Sequence, residues 1–131
     1  MAINPQTPGI NHIALRCKDM EITKNFYRAT LGLPLVYESE NLNGFMAGNV
    51  LIGFLPARVN GNAGEAFNPM TIGMDHIAIS CETPEELERV ASGLQKEGVE
   101  NTGIKFDETL QKKYVAFKDP DRIQWEFYMM Q

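Results

Sequence analysis

Apolar and polar residues alternate at the start of the chain. Ile10, His12, Ala14 and Arg16 fall on one side of an extended segment, and Asn11, Ile13 and Leu15 on the other. Period two over residues 10–16 predicts a half-buried strand with His12, Ala14 and Arg16 on a shared face. Lys18-Asp19-Met20 ends it, and Asp19 can cap a helix running to about Leu31 with Ile22, Phe26 and Ala29 along its inner side. Gly32 stops that helix and Pro34 prevents its resumption. Strands are expected at 35–38, 42–46 and 50–55, the last two joined through Ala47-Gly48-Asn49, a tight-turn composition. Residues 57–72 then read as a flexible polar linker.

The pattern then returns. Gly9-Ile10-Asn11-His12-Ile13-Ala14-Leu15-Arg16-Cys17 is echoed by Gly73-Met74-Asp75-His76-Ile77-Ala78-Ile79-Ser80-Cys81, with Gly, His, Ile, Ala and Cys identical. A fixed internal offset marks a duplicated structural unit. In the second copy Thr83 caps a helix, Pro84 takes its first position and Glu86 closes a capping box. Leu87, Val90, Ala91 and Leu94 form its buried stripe, which ends near Gly98. Strands follow at 102–106, 113–118 and 123–129, the last two joined by Asp119-Pro120-Asp121-Arg122. The fold class is therefore α+β, built from two βαβββ modules at about 8–56 and 73–131 within one domain, 1–131.

Composition narrows the function. With 131 residues, 44% of them hydrophobic and 22% charged, the chain has the make-up of an ordinary globular domain. A net charge of -5 gives no basic footprint, so neither nucleic acid nor an anionic membrane is an expected partner. No apolar run is long enough to span a bilayer, and residues 1–8 do not read as a secretory signal, so a cytoplasmic location is expected. Cys17 and Cys81 are out of phase with the histidines and read as free, core-side or strand-end thiols.

The chemistry gathers on one face. In the last strand Gln124, Glu126 and Tyr128 alternate with Ile123, Trp125 and Phe127, and the large apolar set claims the core. Glu126 is left facing whatever His12 and His76 face, and a carboxylate between Trp125 and Phe127 is costly to bury without a nearby cation. Tyr114 shares that face if its hairpin is in register, either as an acid or as a packing aromatic. Asp107 and Glu108 read as a solvated loop.

These features resemble the vicinal oxygen chelate superfamily, which holds glyoxalase I, extradiol dioxygenases, methylmalonyl-CoA epimerase and the fosfomycin and bleomycin resistance proteins. The resemblance rests on Asn11-His12-Ile13-Ala14-Leu15, Phe26-Tyr27, Leu31-Gly32-Leu33, Asp75-His76-Ile77-Ala78-Ile79, Phe117-Lys118-Asp119-Pro120-Asp121 and Glu126. It implies a curled, cup-shaped mixed sheet with helices outside, and a divalent metal held by His12, His76 and Glu126. Iron or manganese is expected, with nickel, cobalt or zinc as alternatives. Ala14 and Ala78 leave space above the metal, and Arg16, Ser80, Gln124 and Tyr128 are candidate contacts to a small-molecule substrate, with Tyr114 the candidate catalytic acid. A symmetric homodimer is expected.

The chain departs from the family pattern in places. The fourth ligand position falls at Gly53, and residues 50–55 hold no donor side chain. Two histidines and one carboxylate leave about three octahedral positions open. A tyrosine on the strand before Glu126 is replaced by Ala116, and no histidine remains for acid–base work. A metal enzyme for a small oxygen-chelating substrate is expected. An extradiol-type oxygenase comes slightly ahead of a lyase, isomerase or transferase, and a metal-free binding protein is the third reading.

Overall fold

The structure, a computed structural model, describes residues 1–58 and 65–131; residues 59–64 of the expected linker lie outside the described residues. The chain divides into two compact units, 1–58 and 59–131. The first holds β1 (His12–Cys17), α1 (Met20–Asn25), a π-helical turn (Phe26–Thr30), β2 (Leu35–Glu38), β3 (Asn43–Ala47) and β4 (Val50–Pro56). The second holds β5 (Ile77–Cys81), α2 (Pro84–Lys96), β6 (Asn101–Asp107), β7 (Lys112–Lys118) and β8 (Gln124–Met129).

Each unit makes one four-stranded mixed sheet, ordered β1-β4-β3-β2 and β5-β8-β7-β6. In both, the first strand pairs parallel with the last and the other neighbours run antiparallel. A parallel pair needs a crossover, and here the helix and two further strands supply it. Duplication therefore extends from the sequence to the pairing. Gly9 and Gly73, just ahead of the repeated histidines, share φ values of 134° and 135°. Side chains rarely adopt that conformation, which accounts for glycine at both places.

The first core is aromatic. Tyr27, Phe45 and Phe54 are fully buried, and Tyr27 lies 4.3 Å from Phe54 and 5.8 Å from Phe45 between ring centroids. The second centres on Trp125, Val115, Phe117 and Met129 of the sheet, with Ile123 just ahead of β8 and Leu87 and Leu94 from α2. Cys17 and Cys81 are buried at the ends of β1 and β5, outside any disulfide, as their phase predicts.

Two helix details differ from expectation. Asp19 caps α1 by accepting from the backbone N–H groups of Glu21 and Ile22, but the residues facing the core are Thr23, Phe26 and Tyr27 rather than Ile22, Phe26 and Ala29. Ile22 is 56% exposed. Thr23, Phe26 and Tyr27 are i, i+3 and i+4, a stripe one residue round from Ile22, and the wider turn from Phe26 to Thr30, closed by Leu31 N–H donating to Phe26 O at 2.9 Å, leaves Ala29 exposed. In α2, Thr83 Oγ1 accepts from Glu86 N–H at 3.1 Å. The Glu86 carboxylate instead accepts from Arg89 at 2.6 and 2.7 Å, so only half of the capping box forms. No helix among the described residues is long and apolar enough to cross a membrane.

Candidate functional site

In the second unit the sheet register decides who meets whom. Ala78 and Ala116 both stand opposite Glu126, Ser80 and Tyr114 stand opposite Tyr128, and Lys118 stands opposite Gln124. One face therefore carries Ala78 and Ser80, then Gln124, Glu126 and Tyr128, then Tyr114, Ala116 and Lys118. The last turn fixes that register. Buried Asp119 accepts from Asp121 N–H at 2.9 Å and Ile123 N–H at 2.8 Å, which closes the chain between Lys118 and Gln124.

His76 is held at both ring nitrogens. Its Nδ1 lies 2.7 Å from Asp75 Oδ1, and its Nε2 lies 3.2 Å from Glu126 Oε1. An ionised carboxylate only accepts, so Asp75 places the ring proton on Nδ1 and leaves the Nε2 lone pair aimed at Glu126. Two acceptors facing one another at that distance need a proton or a cation between them. Glu126 is only 9% exposed, and burial pushes its carboxyl above the ordinary range. His76 pulls the other way, and Asp107 and Asp75 add to the rise. The spacing suits a metal as well, since cis donors each about 2.1 Å from an octahedral ion stand about 3 Å apart.

The first unit repeats half of this device. His12 Nδ1 lies 2.7 Å from Asn11 Oδ1, again leaving Nε2 free. The residue before each histidine thus orients it, a role usual for ligating histidines. Gly53 stands opposite Ala14 exactly as Glu126 stands opposite Ala78, so the missing fourth donor is missing by register too. Among the described residues no group of three or more histidine, cysteine, aspartate or glutamate side chains forms a metal-holding cluster by itself. The second unit joins His76 to Glu126; His12 belongs to the first.

A cavity of about 270 Å³ opens on the second face, lined by Glu126, Gln124, Lys118, Ala116, Tyr114 and Thr102 among others. Tyr114 stacks on Tyr128 at 5.8 Å and 17°. The Tyr128 hydroxyl donates to Asp107 Oδ2 at 2.7 Å; burial first and this bond second push the phenol up to about 12. Asp107, expected in a solvated loop, is instead the end of β6. Of the other expected contacts, Arg16 donates to Pro56 O at 3.0 Å, and Ala14, Ala78 and Ser80 are exposed on their strands.

Three contributors escaped the sequence reading: Asn11, Asp75 and Lys118. Lys118 Nζ donates to Gln124 Oε1 at 2.7 Å, and Gln124 Nε2 donates to Asp75 Oδ1 at 3.2 Å. A polar chain thus runs from Lys118 through Gln124 and Asp75 to His76 and Glu126. The repeated hydrogen-bonding residue before each histidine was the available signal for Asn11 and Asp75.

The glyoxalase/bleomycin resistance protein/dioxygenase superfamily model matches residues 9–127. YwkD of Bacillus subtilis (strain 168), an uncharacterized protein, is 28% identical over 92% of this chain and 95% of its own. A glyoxylase/bleomycin resistance protein/dioxygenase domain from Frankia sp. EAN1pec superposes with a TM-score of 0.80 at 21% identity, over 96% of this chain and all of that one, 100%. Lactoylglutathione lyase from Agrobacterium tumefaciens superposes with a TM-score of 0.76 at 17% identity, over 96% of each chain. With duplicated βαβββ units, paired histidines and a family match over nearly its whole length, the chain belongs to the glyoxalase/bleomycin resistance protein/dioxygenase superfamily.

Proposed function

We propose that this protein is a divalent-metal enzyme acting on a small oxygen-chelating substrate, with His12, His76 and Glu126 as its ligands and one domain formed by both modules. The observation that carries the reading is the approach of His76 Nε2 to Glu126 Oε1 at 3.2 Å, two acceptors oriented toward one point. Asn11 and Asp75 hold the imidazoles in the tautomer that ligation needs. When bound, the ion supplies positive charge for an anionic bidentate oxygen ligand; iron or manganese suits the nitrogen and carboxylate donors.

The chain's own residues do the rest. Ala116 and Ala78, both opposite Glu126, keep the space over the carboxylate open. The Tyr114 hydroxyl makes no hydrogen bond among the described residues and lines the same cavity. It is the group placed to give or take a proton at a bound oxygen. Three protein donors leave room for substrate and dioxygen side by side, which favours ring cleavage of the extradiol type. A lyase or isomerase is the second reading, favoured by a free tyrosine hydroxyl beside the carboxylate and by the likeness to a lactoylglutathione lyase. We place the protein in the cytoplasm as a homodimer.

Metal analysis of protein purified without chelator, followed by oxygen-electrode assays with catechols under Fe(II), tests the proposal. Iron uptake with oxygen consumption supports the oxygenase. Metal uptake without oxygen consumption supports the lyase or isomerase. Protein that neither carries nor takes up a divalent ion is a binding protein, and the proposal fails.

A further inference from the structure

The cavity of the second unit contains one cation whose partner is neutral. Glu100, on its wall, is paired with Arg122 at 3.1 Å. Asn101 spends its amide on Val99 O and Gly103 N–H, and Thr102 accepts from Ala116 N–H while donating to Gly103 O. Lys118 is different: it donates to the Gln124 amide oxygen, and it enters no ion pair among the described residues. An ammonium has three donors, so two remain. Tyr114 keeps its hydroxyl, and Glu126 keeps its metal-facing oxygens.

These groups lie in sequence along the face. Tyr114, Ala116 and Lys118 are two-residue steps along β7, about 6.6 Å each, and Glu126 stands opposite Ala116 in the middle. A molecule reaching from Glu126 across the Ala116 methyl toward Lys118 therefore meets the carboxylate at one end and the ammonium at the other. An apolar cavity of about 150 Å³ accepts a benzene, so about 270 Å³ suits a single substituted ring or a chain of similar bulk. With a divalent ion at Glu126, Lys118 would add a further positive charge to the cavity for an anion to balance.

We propose that Lys118 is the substrate's anion anchor, and that the natural substrate is a small singly charged carboxylate with its chelating oxygens at the opposite end. Gln124 is a positioning residue, holding the ammonium while its other arm steadies Asp75. The chelating half of this inference rests on the metal reading above; the anchor does not.

Two titrations separate them. Benzoate and neutral benzamide are added to metal-free protein while the side-chain signals of Lys118 and Tyr114 are followed by NMR. Protocatechuate and catechol are then titrated calorimetrically into Zn(II)-loaded protein. Benzoate shifts the Lys118 signals and benzamide does not. Zn(II)-loaded protein binds protocatechuate about tenfold more tightly than catechol, the size of one charge-assisted contact at a half-exposed site. Lys118→Met loses that preference, read as the ratio of protocatechuate to catechol affinity at matched zinc content, and Lys118→Arg keeps most of it. A Lys118→Met protein with the preference undiminished overturns the anchor, as does benzoate leaving Lys118 unmoved. Lys118 responding to benzoate in a protein that takes up no zinc sinks the metal reading and leaves the anchor standing.

Discussion

A Cβ built on Gly53 would lie 3.2 Å from the Leu42 Cδ1 methyl. Gly53 is the counterpart of Glu126 in the first unit, so Leu42 occupies the space into which a fourth ligand would project. A donor side chain at position 53 would have to displace Leu42.

Gly53→Glu alone is therefore expected to crowd Leu42 and lower stability by roughly 1–3 kcal/mol. Adding Leu42→Ala opens the space, so the double variant should be more stable than the sum of the single effects by about 0.5–3 kcal/mol. Denaturant melts of the four proteins give this coupling directly. Strict additivity would show that Leu42 does not guard the position.

Asp75 acts on His76 through Nδ1. Asp75→Ala removes the acceptor that fixes the tautomer, and divalent-metal affinity should fall by about 10–100-fold, measured by competition with a chromogenic chelator. Glu126→Gln should cost more, because a ligating anion is lost. Unchanged affinity in both variants would remove His76 and Glu126 from any metal site.

The Tyr128 hydroxyl bond holds the Asp107 carboxyl below the ordinary aspartate range. A depressed folded-state value means stabilisation that is present above the unfolded aspartate value and lost as pH falls through the lower, folded one. Tyr128→Phe should move the Asp107 midpoint upward in a carboxyl NMR titration and reduce the stability lost across that acidic window. An identical Asp107 midpoint in the two proteins would show that another group sets it.

Cys17 and Cys81 are 2% and 3% exposed, and burial pushes the Cys81 thiol up. Both conditions suppress thiolate chemistry. A chromogenic disulfide reagent should label neither thiol quickly in the native protein and both in guanidinium. Rapid native labelling would mean that the strand ends open readily.

The second helix was legible because α2 is an ordinary amphipathic helix: Thr83 and Pro84 start it, and Leu87 and Leu94 are buried at seven-residue spacing. The first was legible only at its cap. Ile22 is the more apolar residue but Thr23 starts the buried stripe that Phe26 and Tyr27 continue, and past Asn25 the backbone widens to i→i+5 bonding, which period alone does not announce. The strands of both units fell within a residue or two of expectation, because alternation is a direct image of a sheet with one apolar face.

The sequence alone determined the duplication, the α+β class, the shared face of Gln124, Glu126 and Tyr128, and the absence of a donor at Gly53. All of these follow from residue order and period, which survive any arrangement of the chain. Tertiary structure decided which side chains meet: Asp75 behind His76, Leu42 over Gly53, Lys118 joined to Gln124 and Asp107 to Tyr128. Such contacts depend on strand register and on turns such as the one Asp119 closes, and a one-residue slip between β7 and β8 would put Lys118 and Gln124 on opposite faces.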